Sequence, residues 1–222
     1  MKVYNYDVDH FNFAEIYCRL VECSQLELLH ESPLNTYSQV FSREKDQGTV
    51  FHKLYYQNYT EYFERVYERF IQEVVYPIYN CSIVYQAIPT FRVHLPGNIA
   101  VGEFHKDKWY RDQEWHQAVS ELNFYLPFTQ AYDSNTIWVE SSEDSEDYSP
   151  IEVKYGELVQ WDGVNLKHGN KTNQTPTTRV SVDFRVMKLS NYIPSNHGSI
   201  NTGTKFEIGG YYKLLENETT RN

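Results

Sequence analysis

The sequence predicts a mainly β fold with flanking α-helices: a sandwich, jelly roll or barrel with a helical N-terminal elaboration. Three observations predict it. Aromatic residues make up 16% of the 222-residue chain, including 20 Tyr, and aromatic side chains suit the pleated, half-buried surface of strands. From about Ser82 onward, short runs rich in Val, Ile, Tyr and Phe are punctuated by Gly, Pro, Asn and Asp. Helical periodicity is missing between most of those runs, which argues against a parallel α/β sheet and for antiparallel layers.

In chain order, residues 1–80 read mainly helical. From Phe51 to Tyr79 there is no Gly, and the sole Pro is Pro77, near the end. Phe63, Val66, Tyr67, Phe70 and Val74 recur at three- and four-residue steps, which predicts an amphipathic helix lying on one face of a sheet. Strands are predicted over Ile83–Leu95, Ile99–His105, Ser120–Phe128, Thr136–Glu140, Ile151–Val153, Glu157–Trp161 and Thr178–Met187. Glu140–Asp147, reading ESSEDSED, is expected to be a solvated loop, since its spacing is not that of a calcium-binding EF-hand. The tail, 189–222, is polar, and its FEIGGYY stretch, Phe206–Tyr212, can tuck back onto the body. The chain therefore reads as one domain over 1–222, with residues 81–188 as its β core.

Composition narrows the function. The net charge of -10 comes without a basic patch, against nucleic acid and against an anionic lipid surface. No apolar run is long enough to span a membrane, and the N-terminus lacks the apolar stretch of a secretory signal. Cys18, Cys23 and Cys81 match neither a disulfide framework nor a zinc site, as reduced thiols of a cytoplasmic protein would not. The expected partner is a small-molecule substrate, with the helical N-terminal region as a candidate homodimer face.

The chemistry concentrates in four residues. The predicted strand from Ile99 ends in His105-Lys106-Asp107, and residues i and i+2 of an extended chain share a face, so an imidazole and a carboxylate can meet at one point. His168 follows the strand Glu157–Trp161 and a turn at Asp162-Gly163. Two His and one carboxylate are the donor set of a facial iron(II) site, which holds the ion at low net charge and leaves positions open. Arg179 comes next, in a strand where Arg179, Ser181, Asp183 and Arg185 share one face and Val180, Val182 and Phe184 the other. Its planar fork suits a carboxylate, with the Ser181 hydroxyl beside it.

That order of residues resembles the Fe(II)/2-oxoglutarate-dependent dioxygenase superfamily. Phe91–Asn98 (FRVHLPGN), Glu121–Pro127 (ELNFYLP), Lys167–Asn170 (KHGN) and Arg179–Arg185 (RVSVDFR) further resemble a bacterial subgroup related to streptomycin-biosynthesis hydroxylases. The resemblance covers roughly Phe91–Met187. It implies a double-stranded β-helix (jelly-roll, cupin-like), with His105, Asp107 and His168 as ligands of Fe(II) and Arg179 pairing with the far carboxylate of 2-oxoglutarate. It implies hydroxylation of a C–H bond of a small polar metabolite with O2, releasing succinate and CO2. Because a carboxylate occupies position 107, hydroxylation or desaturation is favoured over halogenation.

Other residues carry weaker expectations. Asn123 and Tyr125 alternate with apolar neighbours and are expected to face the interior and bind 2-oxoglutarate with Arg179 and Ser181. Arg92, Trp109, Tyr110, His116, Trp138 and Arg185 are substrate-binding candidates, on strands or on the loop beyond the His105/Asp107 pair. Two other readings compete. A metal-dependent cupin enzyme without 2-oxoglutarate has no need of a carboxylate anchor at Arg179. A jelly-roll carbohydrate-binding module would use the many Tyr but leave the His/Asp/His set unexplained.

Overall fold

Strand alternation sorts the chain between two environments: an aromatic core under helices and a polar cleft between sheets. The computed structural model describes residues 1–35, 48–100, 103–110, 120–195, 197–198 and 203–217. The strands are β1 (Lys2–Asn5), β2 (Ile83–Gln86), β3 (Thr90–His94), β4 (Leu122–Pro127), β5 (Ile137–Val139), β6 (Ser149–Pro150), β7 (Glu157–Trp161), β8 (His168–Asn170), β9 (Arg179–Lys188) and β10 (Tyr212–Leu215). The large sheet runs β1-β7-β4-β9-β2-β10, with β3 also pairing β9, and every pairing in it is antiparallel. The small sheet runs β6-β5-β8. Tyr125, Val159 and Trp161 of the large sheet pack with Val139, Ile151 and Val153 of the other layer, so the two sheets face each other. The architecture is the mainly β, double-stranded β-helix with flanking helices that the sequence predicts.

Helices cover the outer face of the large sheet. α1 (Phe13–Leu20) and α2 (Val50–Gln57) are followed by a run holding α3 (Glu64–Phe70) and α4 (Tyr76–Tyr79), with π turns at Tyr59–Phe63 and Ile71–Val75. Phe51, Tyr55, Tyr59, Phe63, Tyr67, Ile71 and Val75 follow at four-residue intervals, and all are buried. On a regular α-helix each four-residue step overshoots the turn by roughly 40°, which would carry this stripe off the sheet. The wider π turns take up the excess and keep it on one side. Val66 and Val74, expected in the stripe, lie only partly buried beside it. Opposite stand Phe91, Val93, Phe124, Leu126, Val180, Val182, Phe184 and Val186. Tyr55 stacks on Phe91 with ring centroids 4.3 Å apart, and the buried tyrosines satisfy their hydroxyls on main-chain carbonyls: Tyr17 on Phe51, Tyr59 on Ala87, Tyr67 on Gln86.

Five expectations change. The strand expected over Ile99–His105 is absent among its described residues, where His105 pairs only through an isolated bridge to His168. Residues 2–5 are not helical; β1 adds an edge strand against β7. Ile83–Leu95 is two strands broken at 87–89, since Pro89 cannot donate to a ladder. The strand expected at Ile151–Val153 falls at Ser149–Pro150, with Val153 held by a bridge to Ala131. The tail does more than tuck back, because β10 pairs with β2 and buries Tyr212.

Candidate metal centre

Register on the large sheet sets the inner wall of the cleft. Asn123 stands between Trp161 and Arg185, Tyr125 between Val159 and Asp183, and His94 opposite Arg179. The face expected from β9 is thus the cleft face, and Arg179, Asp183 and Arg185 line one cavity of about 70 Å³ with Arg92, Asn123, Trp161, His105, Asp107 and His168.

His105 and His168 are brought together by main-chain pairing. Each backbone N–H donates to the other residue's carbonyl at 2.8 Å, across an antiparallel bridge. Asp107 arrives by a different route from the extended chain expected: after His105 the backbone turns into a 3-10 helix, Asp107–Tyr110, and Asp107 N–H donates to Gly163 O at 3.0 Å. One donor atom from each of the three residues lies within 4.8 Å of the others. Asp107 Oδ1 is 3.6 Å from His105 Nε2 and 3.8 Å from His168 Nε2.

Both imidazoles are oriented by their own chain. His105 Nδ1 lies 2.8 Å from Glu103 O, and His168 Nδ1 lies 2.9 Å from Leu166 O. A carbonyl accepts only, so Nδ1 carries the proton and Nε2 turns its lone pair to the centre. Burial pushes the His168 imidazole down to about 4, against the pull of Asp107, so it is neutral at pH 7. Gly169 is required for this approach: a Cβ there would stand 3.0 Å from Phe104 Cα.

Asp107 Oδ2 accepts from Arg185 Nη2 at 2.7 Å, Arg185 Nε at 3.2 Å and Asn123 Nδ2 at 3.0 Å. Arg185, expected at the substrate, is therefore committed to a candidate ligand, and Asn123 faces inward as expected but toward Asp107. Arg179 is 1% exposed. Its Nε donates to Asn135 O at 2.9 Å and its Nη1 to Ser181 Oγ at 2.8 Å, and no carboxylate pairs with it among the described residues. Tyr125 Oη and Trp161 Nε1 are buried without a hydrogen-bond partner among the described residues.

The remaining candidates are placed as follows. Arg92 lines the cavity and donates from Nε to Asp183 Oδ1 at 2.9 Å. Trp138 is not part of the lining: alternation along β5 sends Ile137 inward and Trp138 outward, with Lys171 Nζ 3.1 Å above its ring. Trp109 is half exposed and also outside the lining, while Tyr110 closes the 3-10 helix. His116 lies outside the described residues. Sequence reading missed Trp161, Asn170 and Ile137 as lining residues, and it missed the carbonyls of Glu103 and Leu166, which no side-chain pattern announces. The acidic loop is not merely solvated. Lys106 reaches Asp144 at 2.7 Å and Glu143 at 3.1 Å, Lys108 reaches Glu143, and Lys167 reaches Glu146 at 3.0 Å. Each lysine is the chain neighbour of a candidate ligand.

Fold and site together define a double-stranded β-helix protein with a His/Asp/His candidate metal centre at the open edge between its sheets. No family model matches the chain. Against known proteins it is 35% identical over 210 residues, 95% of its length and 96% of the relative's, to the streptomycin biosynthesis protein StrG of Streptomyces griseus. The chain belongs to the StrG family. Among solved structures it is similar to the non-heme alpha-ketoglutarate-dependent carbocyclase SnoK from nogalamycin biosynthesis (10% identity, TM-score 0.49, 95% of this chain and 89% of that one). It is also similar to a nickel complex of the non-heme monooxygenase ThoJ (12% identity, TM-score 0.48, 83% and 71%). Among the described residues no helix is long and apolar enough to cross a membrane.

Proposed function

We propose that the protein is an Fe(II)- and 2-oxoglutarate-dependent oxygenase that hydroxylates a C–H bond of a small polar metabolite. The observation that carries this reading is Arg179: a buried cation without an acidic partner among the described residues, opening on the same cavity as the His/Asp/His set. A buried charge is retained only where something pairs with it. Among the described residues that line the cavity are three arginines and two aspartates, a set that suits an anionic ligand. A dicarboxylate that chelates a metal at one end and meets Arg179 at the other answers both features.

The donor set fits iron(II). His105 Nε2, His168 Nε2 and Asp107 Oδ1 would hold the ion, with open positions for the keto acid and O2. When bound, the iron supplies activation of O2 at the expense of 2-oxoglutarate, giving succinate and CO2. The chain's own residues bind and orient. Ser181 and the Asn135 carbonyl fix the Arg179 fork, Tyr125 Oη supplies a buried phenol close by, with Arg179 Cζ 6.0 Å from its ring centroid, and Trp161 and Ile137 keep water out of the inner cleft. The Arg92–Asp183 ion pair, which lines the same cavity, is the candidate contact for the substrate's polar groups.

The test is anaerobic titration of the metal-free protein with Fe(II) and then 2-oxoglutarate, following the visible metal-to-ligand charge-transfer absorption. The expected result is a band that is lost in His168→Ala. Iron binding without the band would sink the 2-oxoglutarate assignment and leave a cupin-like metal enzyme. No metal binding would remove the centre itself.

A further inference from the structure

We propose that Arg185, assisted by Asn123, is a positioning residue that restricts Asp107 to one-oxygen ligation of the metal. The inference rests on the metal-centre reading above. The two carboxylate oxygens of Asp107 have opposite surroundings. Oδ2 receives three N–H donors, at 2.7 and 3.2 Å from Arg185 and 3.0 Å from Asn123. A carboxylate oxygen offers two lone-pair sites in its plane, so three donors leave it nothing to give a cation. Oδ1 faces the two imidazole Nε2 atoms.

The clamp is itself braced. Arg185 Nη1 donates to Tyr211 Oη at 3.3 Å and to Gln86 Oε1 at 3.5 Å, so the C-terminal segment and β2 both hold the guanidinium. Asn123 packs beside Gly163, whose missing side chain leaves it room: a Cβ there would come within 2.6 Å of Nδ2. Gly163 O in turn accepts from the Asp107 N–H. Backbone, amide and guanidinium thus fix one rotation of the carboxylate.

The chemical consequence is a free coordination position. An aspartate bound through both oxygens occupies two positions; bound through Oδ1 alone it occupies one, and the keto acid gains the difference. The fixed positive charge of Arg185 also draws electron density from the carboxylate, which weakens its donation to the ion. Removing the clamp should therefore move metal and cosubstrate in opposite directions: the metal binds as tightly or more tightly, and 2-oxoglutarate binds more weakly.

The experiment compares wild type, Arg185→Met and Arg185→Lys, each full-length and loaded with Mn(II). Metal-bound waters are counted from the line broadening of the Mn(II) resonance in ¹⁷O-enriched water, and Mn(II) and 2-oxoglutarate affinities are measured separately. The expected result for Arg185→Met is one bound water fewer, Mn(II) affinity equal to or above wild type, and a measurable loss of 2-oxoglutarate affinity. Arg185→Lys, which keeps the charge but loses the fork, should lie between. An unchanged water count, or parallel loss of both affinities, overturns the proposal and leaves Arg185 a structural ion pair. If Arg185→Met does not fold, Asn123→Ala, which removes one of the three donors, must shift both affinities the same way to a smaller extent or the proposal fails. Wild-type protein that binds no Mn(II) would overturn the metal-centre reading and the clamp with it.

Discussion

Arg179→Met separates a cosubstrate anchor from a structural cation, because the two roles give opposite stability effects. The substitution keeps an unbranched stem and removes the charge. In the proposed bound state Arg179 would pair with a carboxylate inside a cavity where its own exposure is 1%. Losing one partner of such a buried pair costs about 3–5 kcal/mol, which is roughly two to three and a half powers of ten in 2-oxoglutarate affinity. Without ligand the sign reverses. The cation is desolvated with no carboxylate partner among the described residues, at a cost of several kcal/mol, and it recovers two hydrogen bonds, to Asn135 O and Ser181 Oγ. The net gain on removing it is about 1–2 kcal/mol, a rise in Tm of about 2–8 °C for a domain of this size. Calorimetric titration of the metal-loaded variant with 2-oxoglutarate and thermal unfolding of the metal-free variant measure the two halves. Unchanged cosubstrate affinity, or a fall in Tm, would refute the reasoning, since either means that Arg179 serves the fold.

Three further predictions follow from buried groups. Burial pushes His52 and His94 each down to about 3 from 6.5, so the unfolded chain takes up their protons first; stability is full above pH 6.5 and is lost as pH falls toward 3. With His168, pushed down to about 4, titrating beside them at about 1.4 kcal/mol per pH unit for each His, the metal-free protein should be about 6 kcal/mol less stable at pH 5 than at pH 7, read from urea midpoints, and His94→Gln should remove about a third of the slope; a flat profile would contradict it. In Gly169→Ala the new methyl meets Phe104 Cα at 3.0 Å and pries apart the bridge between His105 and His168, so metal affinity should fall roughly 10- to 100-fold with the fold intact by circular dichroism. Charge reversal of the acidic loop, Glu143→Lys with Asp144→Lys, faces the Lys106 ammonium, 3% exposed, with like charge. It should cost about 1–3 kcal/mol in chemical denaturation, and a change below about 0.5 kcal/mol would mark the latch as an ordinary surface contact.

The cleft wall was legible because two strands keep their period, β9 from Arg179 to Val186 and β4 from Leu122 to Leu126. β9 alternates Arg179, Ser181, Asp183, Arg185 with Val180, Val182, Phe184, and β4 alternates Asn123, Tyr125 with Phe124, Leu126. Sequence therefore separated the helix-packed face from the cleft face, and the His/Asp/His/Arg order pointed to the centre before any coordinates. The edges were not legible. β1 and β10 are four-residue strands with mixed polarity, and only pairing with β7 and β2 makes them strands. Local propensity holds no record of such a partner. Trp138 was misjudged for a related reason: on a three-residue strand nothing local says which face turns inward, and the register against β8 decides it.

The roles of the inner polar residues depend on distances that span the chain. Asn123 and Arg185 were read as ligand-facing groups, since a polar residue on an interior strand face suggests a binding site. In three dimensions both turn to Asp107, which lies 16 positions from one and 78 from the other. Of the interior arginines, Arg92 meets Asp183, Arg185 meets Asp107, and Arg179 meets no carboxylate among the described residues. Strand alternation cannot distinguish these three, because it places them on one wall with equal standing. The pairing does: two arginines hold aspartates, and the third faces the cavity with no carboxylate partner among the described residues, which is why the proposed anion is assigned to it.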